Sequence, residues 1–205
     1  MITDMMKTFT LRYFLTLSAT LLGLSLFAAS PAAAQNNKAP ADAKCPAVLQ
    51  YTVERLQDEK PQNLCQYAGQ VVLVVNTASF CGFTPQYKSL EELYARYKDK
   101  GLVVLGFPSN DFSQEPGNNQ KIADFCENTY GVKFPMFSKT TVRGADASPL
   151  FKQLTQLTDT APKWNFYKYL ISRDGKQVKS YNSSTDPLDP KFLAEVDKQL
   201  SAKTP

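Results

Sequence analysis

The sequence predicts an α/β domain in which a central mixed β-sheet is flanked by helices. Three observations point there. Val71–Val75 and Leu102–Phe107 are nearly unbroken runs of β-branched residues and leucine, the pattern of strands covered on both faces. Between them Tyr87, Leu90, Tyr94 and Tyr97 recur at helical spacing, so strand, helix and strand make one crossover unit with parallel strands. Asp174-Gly175, between two further strand-like runs, is a hairpin signal that adds antiparallel pairing.

In chain order, Lys7 and Arg12 precede an apolar stretch from Tyr13 to Ala29, and Ala32-Ala33-Ala34 stands before Gln35. This is the pattern of a signal peptide over residues 1–34, so the expected product is exported, and periplasmic in a bacterium. Residues 35–44, rich in Asn, Ala, Lys and Pro, read as a disordered lead-in, and the domain is expected over 45–205. Ala47 to Leu56 alternates partly and predicts a first strand. Leu64 to Ala68 reads as a connector. Cys45 and Cys65 flank this unit, and in an exported chain they are expected to form a structural disulfide.

Thr84 and Pro85 read as the N-cap and first residue of a helix running to about Lys100 and ended by Gly101. Pro108 to Gly117 is a loop by composition. Asn118 or Asn119 caps a helix with Ile122, Phe125, Cys126 and Tyr130 on one face, and Gly131 ends it. Phe134 to Phe137 reads as a short extended piece. Ser148-Pro149 starts a helix with Leu150, Phe151, Leu154 and Leu157 inward. Tyr167 to Ile171 and Gln177 to Tyr181 are the hairpin strands, and Asp189-Pro190 opens a last helix through Leu193, Val196 and Leu200.

The 205 residues contain no histidine and four cysteines. That composition excludes Ser–His and Cys–His dyads and any His-ligated metal, and the absence of a CxxC pair leaves no zinc-ribbon pattern. The net charge of +4 is not gathered into a basic run, so nucleic acid is not an expected partner. Cys81 is the candidate nucleophile. It lies between a buried strand and a helix start, where unpaired N–H groups and the helix dipole favour a thiolate. The plainer alternative is a small buried core cysteine.

Strand, cysteine loop, helix, strand, helix, hairpin, helix is a thioredoxin-like order. Within it, Asn76-Thr77-Ala78-Ser79-Phe80-Cys81-Gly82-Phe83-Thr84 resembles the cysteine motif of the glutathione peroxidase family. Gly106-Phe107-Pro108-Ser109-Asn110-Asp111-Phe112 with Gln114-Glu115-Pro116-Gly117 resembles its second motif, and Trp164-Asn165-Phe166-Tyr167-Lys168-Tyr169-Leu170 its third. The motifs stand in family order, and the similarity runs from about Tyr51 to about Leu200.

The resemblance implies a thiol peroxidase that reduces hydrogen peroxide and organic or lipid hydroperoxides without a cofactor. Its catalytic tetrad would be Cys81, Gln114, Trp164 and Asn165. One departure stands out: the loop is one residue shorter than usual between Phe112 and Gln114. The residue types suit the chemistry, since a thiolate attacks one peroxide oxygen and becomes a sulfenic acid, while the indole N–H and two amides are neutral donors to the developing charge.

By the same resemblance Cys126 is the resolving thiol, and the reductant is a thioredoxin-like protein of the outer compartment, or glutathione. A buried structural thiol is the other reading of Cys126. The short connection from Leu150 to Trp164 resembles monomeric members. Thr84 stands where a CxxC motif would have its second cysteine, which weighs against a thiol–disulfide oxidoreductase on the same fold. The retained Cys81, Trp164 and Asn165 weigh against a non-catalytic binding module.

Overall fold

The first unit of the domain holds less strand than its alternation predicts. The computed structural model describes residues 44–202. The expected signal peptide, and all of the lead-in but Lys44, lie outside the described residues. Ala47–Leu49 is a 3₁₀ turn, and only Thr52–Glu54 (β1) is extended. It pairs antiparallel with Pro61–Asn63 (β2), a strand that no sequence pattern marks. Segments of three residues are too short for a period of two to register. Leu64–Tyr67, expected as a connector, winds into a 3₁₀ turn whose Cys65 N–H donates to the Asn63 side chain. Cys45 and Cys65 are joined in a disulfide with Cα atoms 5.2 Å apart.

Four strands make the main sheet: Val71–Thr77 (β3), Leu102–Pro108 (β4), Lys168–Ile171 (β5) and Val178–Tyr181 (β6), in the order β4-β3-β5-β6. β3 runs parallel to β4 and antiparallel to β5, and β5 and β6 form the hairpin. Every residue of β3 and β4 is buried, which is why both read as continuous apolar runs. Among the described residues four α-helices cover the sheet: Gln86–Tyr97 (α1), Asn119–Tyr130 (α2), Pro149–Thr158 (α3) and Pro190–Ser201 (α4).

The pleat of β3 divides the core. Leu73 and Val75 pack with Leu90 of α1, Ile122 and Cys126 of α2, and Phe192 and Val196 of α4. Val72 and Val74 pack on the opposite face with Phe151 and Leu154 of α3. Gly106 interrupts the β4 run because a Cβ there would collide with the Met136 side chain. Met136 and Phe137, in the expected extended piece, form isolated bridges to Gly106 and Arg55.

Three local expectations change. α1 starts at Gln86, and the Thr84 side chain makes no cap for it. A 3₁₀ turn over Lys98–Lys100 then ends at Gly101, whose φ of +94° suits glycine. Leu157 of α3 is 49% exposed: helical spacing puts it on the inward face, but its turn lies beyond the core around Phe151 and Leu154. The last strand of the hairpin begins at Val178 rather than Gln177. Asn118 and Asp189 cap as expected, accepting from the Lys121 N–H and from Lys191 and Phe192, whereas Ser148 makes no side-chain cap hydrogen bond and α3 opens on Pro149.

Candidate active site

Strand register brings the three motifs to one edge. Thr77 at the end of β3 is level with Pro108 at the end of β4, so the Cys81 loop and the Pro108–Gly117 loop leave the sheet side by side. β5 runs the other way and starts with Lys168 opposite Val75, so Trp164 and Asn165 arrive at that same edge. The carboxyl edge of the parallel strands is where open α/β sheets place their sites.

The Cys81 loop is a tight turn closed by Thr84. The Thr84 hydroxyl accepts the Cys81 N–H at 2.9 Å and donates to the Ala78 carbonyl at 3.0 Å, while the Thr84 N–H returns to the Cys81 carbonyl at 3.0 Å. The residue expected to cap α1 therefore shapes the Cys81 turn instead. The Phe83 N–H donates to Cys81 Sγ at 3.4 Å. Cys81 is buried, 7% exposed, and its thiol is free.

The shortened loop still delivers Gln114 to this turn. Ser113 adopts a φ of +58°, and its N–H closes onto the Asn110 carbonyl at 2.9 Å. A left-handed residue reverses the chain in few atoms, at a conformational cost for a non-glycine. The Gln114 carbonyl then accepts the Phe80 N–H at 3.1 Å, and its side-chain Oε1 accepts the Asn165 amide at 2.9 Å. Asn165 is fully buried. Trp164 is 40% exposed and packs against Phe112 with ring centroids 5.3 Å apart.

Cys126 is held differently. It is 3% exposed on α2, and burial pushes its thiol up to about 11, with the Glu115 carboxylate adding in the same direction. The Tyr87 hydroxyl faces it and pulls the other way, though it makes no well-formed hydrogen bond. Burial there favours the neutral thiol over the thiolate.

The first two of these motifs fall within the match to a known family. The glutathione peroxidase family model matches residues 48–155. The chain belongs to the glutathione peroxidase family. It is 52% identical over 139 residues to the glutathione peroxidase homolog BsaA of Halalkalibacterium halodurans, covering 65% of this chain and 88% of that one. It is 47% identical over 154 residues to the hydroperoxy fatty acid reductase gpx1 of Synechocystis, covering 70% and 90%. Among solved structures, Trgpx in its apo form superposes with a TM-score of 0.63 at 36% identity, over 79% of this chain and all of that one. A thiol:disulfide interchange protein of Chlorobium tepidum, at 16% identity and a TM-score of 0.59, shares the fold. This member of the family is thus a peroxide-reducing oxidoreductase on a thioredoxin-like scaffold.

Glu115 belongs to the second motif, but sequence reasoning assigns it no role. It is 1% exposed, and its Oε2 accepts both the Ser79 N–H at 2.8 Å and the Ser79 hydroxyl at 2.9 Å. Its own N–H donates to the Asn110 side chain at 2.9 Å. Oε1 is buried without a partner, and burial raises the carboxyl above its ordinary range. Glu115 ties the Cys81 loop to the Gln114 loop. Beside it a cleft of about 290 Å³ opens toward α2, lined by Phe80, Ile122 and Phe125.

Proposed function

We propose that Cys81 is the peroxidatic thiol, with Gln114, Trp164 and Asn165 as the donors around it, and that Cys126 resolves the product. The thiolate attacks the terminal oxygen of ROOH; the O–O bond breaks, and a proton goes to the leaving alkoxide. Cys81 becomes a sulfenic acid and ROH departs. Cys126 then attacks Cys81 sulfur, expelling hydroxide that leaves as water with the Cys126 proton. The Cys81–Cys126 disulfide is reduced by two further thiols.

The observation that carries this reading is the junction at Gln114, which touches the Cys81 loop through its carbonyl and Asn165 through its side chain. Neutral donors suit a chain without histidine: they stabilise negative charge without taking up a proton themselves. In this reading α2 opens for resolution, because Cys126 is buried in the core with Ile122 and a disulfide needs Cα atoms within about 7 Å and both thiols free to turn toward each other. Opening also exposes the thiol to water and returns it toward its ordinary acidity.

A thioredoxin-like protein is the reductant in this reading, with glutathione as the small-thiol alternative. Relatives named glutathione peroxidase-like peroxiredoxin, at 48% identity in Schizosaccharomyces pombe, support it. A monomer acting outside the cytoplasm on hydrogen peroxide and lipid hydroperoxides completes it, supported by the N-terminal pattern and by the hydroperoxy fatty acid reductase relative.

The test is peptide mapping without reduction, on protein treated with one equivalent of hydrogen peroxide. A Cys81–Cys126 cross-link is expected. Oxidation of Cys81 with Cys126 still free would remove the resolving role, and an unmodified Cys81 would overturn the site.

A further inference from the structure

Lys168 is a buried charge that the peroxidase cycle does not use. It is the first residue of β5, fully buried, and its Nζ donates to the Phe166 carbonyl at 2.8 Å. Its side chain shares a sheet face with Leu170, which packs in the core under α1 and α4. Burial lowers its amine to about 7, against the attraction of Asp186. A lysine in such a place costs stability, and an apolar residue would fill the space without that cost.

The carbonyl it holds belongs to an unusual turn. Phe166 has a φ of +63°, a left-handed conformation that is unfavourable for a bulky side chain. The two preceding carbonyls are also held by side chains. The Trp164 carbonyl accepts from the Asn76 amide at 3.1 Å, and the Asn165 carbonyl from the Ser183 hydroxyl at 2.6 Å. The Phe166 N–H donates to the Asn76 carbonyl at 2.6 Å. Ser183 is fixed in turn through its own carbonyl, which accepts from Gln86 at the start of α1 at 2.6 Å. Three consecutive carbonyls are thus clamped from β3, from the segment after β6, and from β5.

We propose that Lys168 and Ser183 are positioning residues for the peroxidase reaction, holding the Trp164–Asn165–Phe166 turn in a strained shape that aims the indole and amide donors at the Cys81 loop. The clamp acts through backbone carbonyls, so neither residue touches the peroxide. It rests on the assignment of Trp164 and Asn165 as donors. The strain explains the choice of residues. A left-handed Phe166 would relax toward an ordinary conformation unless its carbonyl had a buried donor, and that relaxation would swing Asn165 away from Gln114. Transition-state donors act only when aimed within a fraction of an ångström.

The test uses Lys168→Met and Ser183→Ala in the full protein, with the fluorescence of Trp164, the one tryptophan in the chain, as a direct probe of the turn. Both variants are expected to shift the Trp164 emission. Both should also slow the second-order oxidation of Cys81 by hydrogen peroxide, by on the order of 10- to 100-fold for Lys168→Met. Alkylation of Cys81 by iodoacetamide, which needs the thiol but no peroxide-aligned donor, should slow much less. The double variant should lose less than the product of the two single losses, because both act on one turn.

A folded Lys168→Met protein with wild-type emission and wild-type peroxide rate would overturn the proposal. So would alkylation and peroxide oxidation slowed equally, since that would mark a purely structural role. If Lys168→Met does not fold, Ser183→Ala is judged by the same three readouts. The site assignment fails separately, through a wild-type Cys81 that peroxide leaves untouched, and Trp164 emission then still reports the clamp.

Discussion

Replacing Glu115 tests how the two loops of the site are joined. The informative comparison is between two neutral variants, Glu115→Gln and Glu115→Ala, because both remove the charge and only alanine removes the acceptor. Glu115 Oε2 receives two hydrogen bonds from Ser79, and Ser79 is itself 8% exposed. A glutamine side chain keeps an oxygen there; alanine leaves a buried N–H and a buried hydroxyl of Ser79 without a partner. At about 1–3 kcal/mol for each unsatisfied group, Glu115→Ala should be less stable than Glu115→Gln by about 2–6 kcal/mol. Water entering from the adjoining cleft would bring the figure to the lower end.

Urea unfolding followed by Trp164 fluorescence measures that difference, and stopped-flow oxidation of Cys81 measures its effect on rate. The alanine variant should also lose rate, because the Ser79–Phe80 backbone that meets Gln114 is released, whereas the glutamine variant should keep most of it. Burial raises the Glu115 carboxyl above its ordinary value of 4.5, so the folded protein binds this proton more tightly than the unfolded chain. Wild-type stability should therefore fall relative to Glu115→Gln as pH rises from about 4.5 toward neutrality. Equal urea midpoints and equal peroxide rates for the two variants would refute the bridging role.

Three further outcomes are expected. The Cys45–Cys65 disulfide closes a loop of 20 residues, so replacing both cysteines by serine should cost about 3 kcal/mol in urea while leaving the rate of Cys81 oxidation unchanged; an unaltered midpoint would contradict this. Phe80, 68% exposed, stacks on Phe125, one residue before Cys126, at 6.4 Å. Losing such a contact at about 0.5–1.5 kcal/mol should let α2 open more often, so Phe80→Ala should form the Cys81–Cys126 disulfide severalfold faster after one equivalent of peroxide, and a slower rate would count against the stack as a restraint. Because folding raises the Cys126 thiol from 9.0 to about 11, the closed fold holds its proton more tightly than the unfolded chain; thermal melts should show wild-type stability declining relative to Cys126→Ala as pH rises from about 9 to 11, and parallel curves would refute that burial effect.

By itself the sequence determined most of the elements and named the candidate residues of the proposed reaction. Continuous apolar runs marked β3 and β4 because strands buried on both faces have no polar side to show. The helices and most of their caps were legible from apolar spacing and from Asn118, Gly131 and Asp189, since capping is a contact between near neighbours in the chain. Cys81, Gln114, Trp164 and Asn165 were named from motifs. The two-cysteine link of Cys45 and Cys65 was legible from their flanking positions together with the export-like N-terminal pattern.

Tertiary structure decided what those residues touch. Thr84 looked like a helix cap and is instead the closure of the Cys81 turn, because its hydroxyl is taken up by the Ala78 carbonyl and the Cys81 N–H. Glutamate and lysine ordinarily stay in solvent, yet Glu115 and Lys168 are both buried, one bridging two loops and one clamping a carbonyl. What buries them lies across strand register or in a loop 36 residues away, and no local pattern records a contact made by folding. Composition can supply a thiol, two amides and an indole; only the convergence of β3, β4 and β5 brings the loops that carry them to one edge.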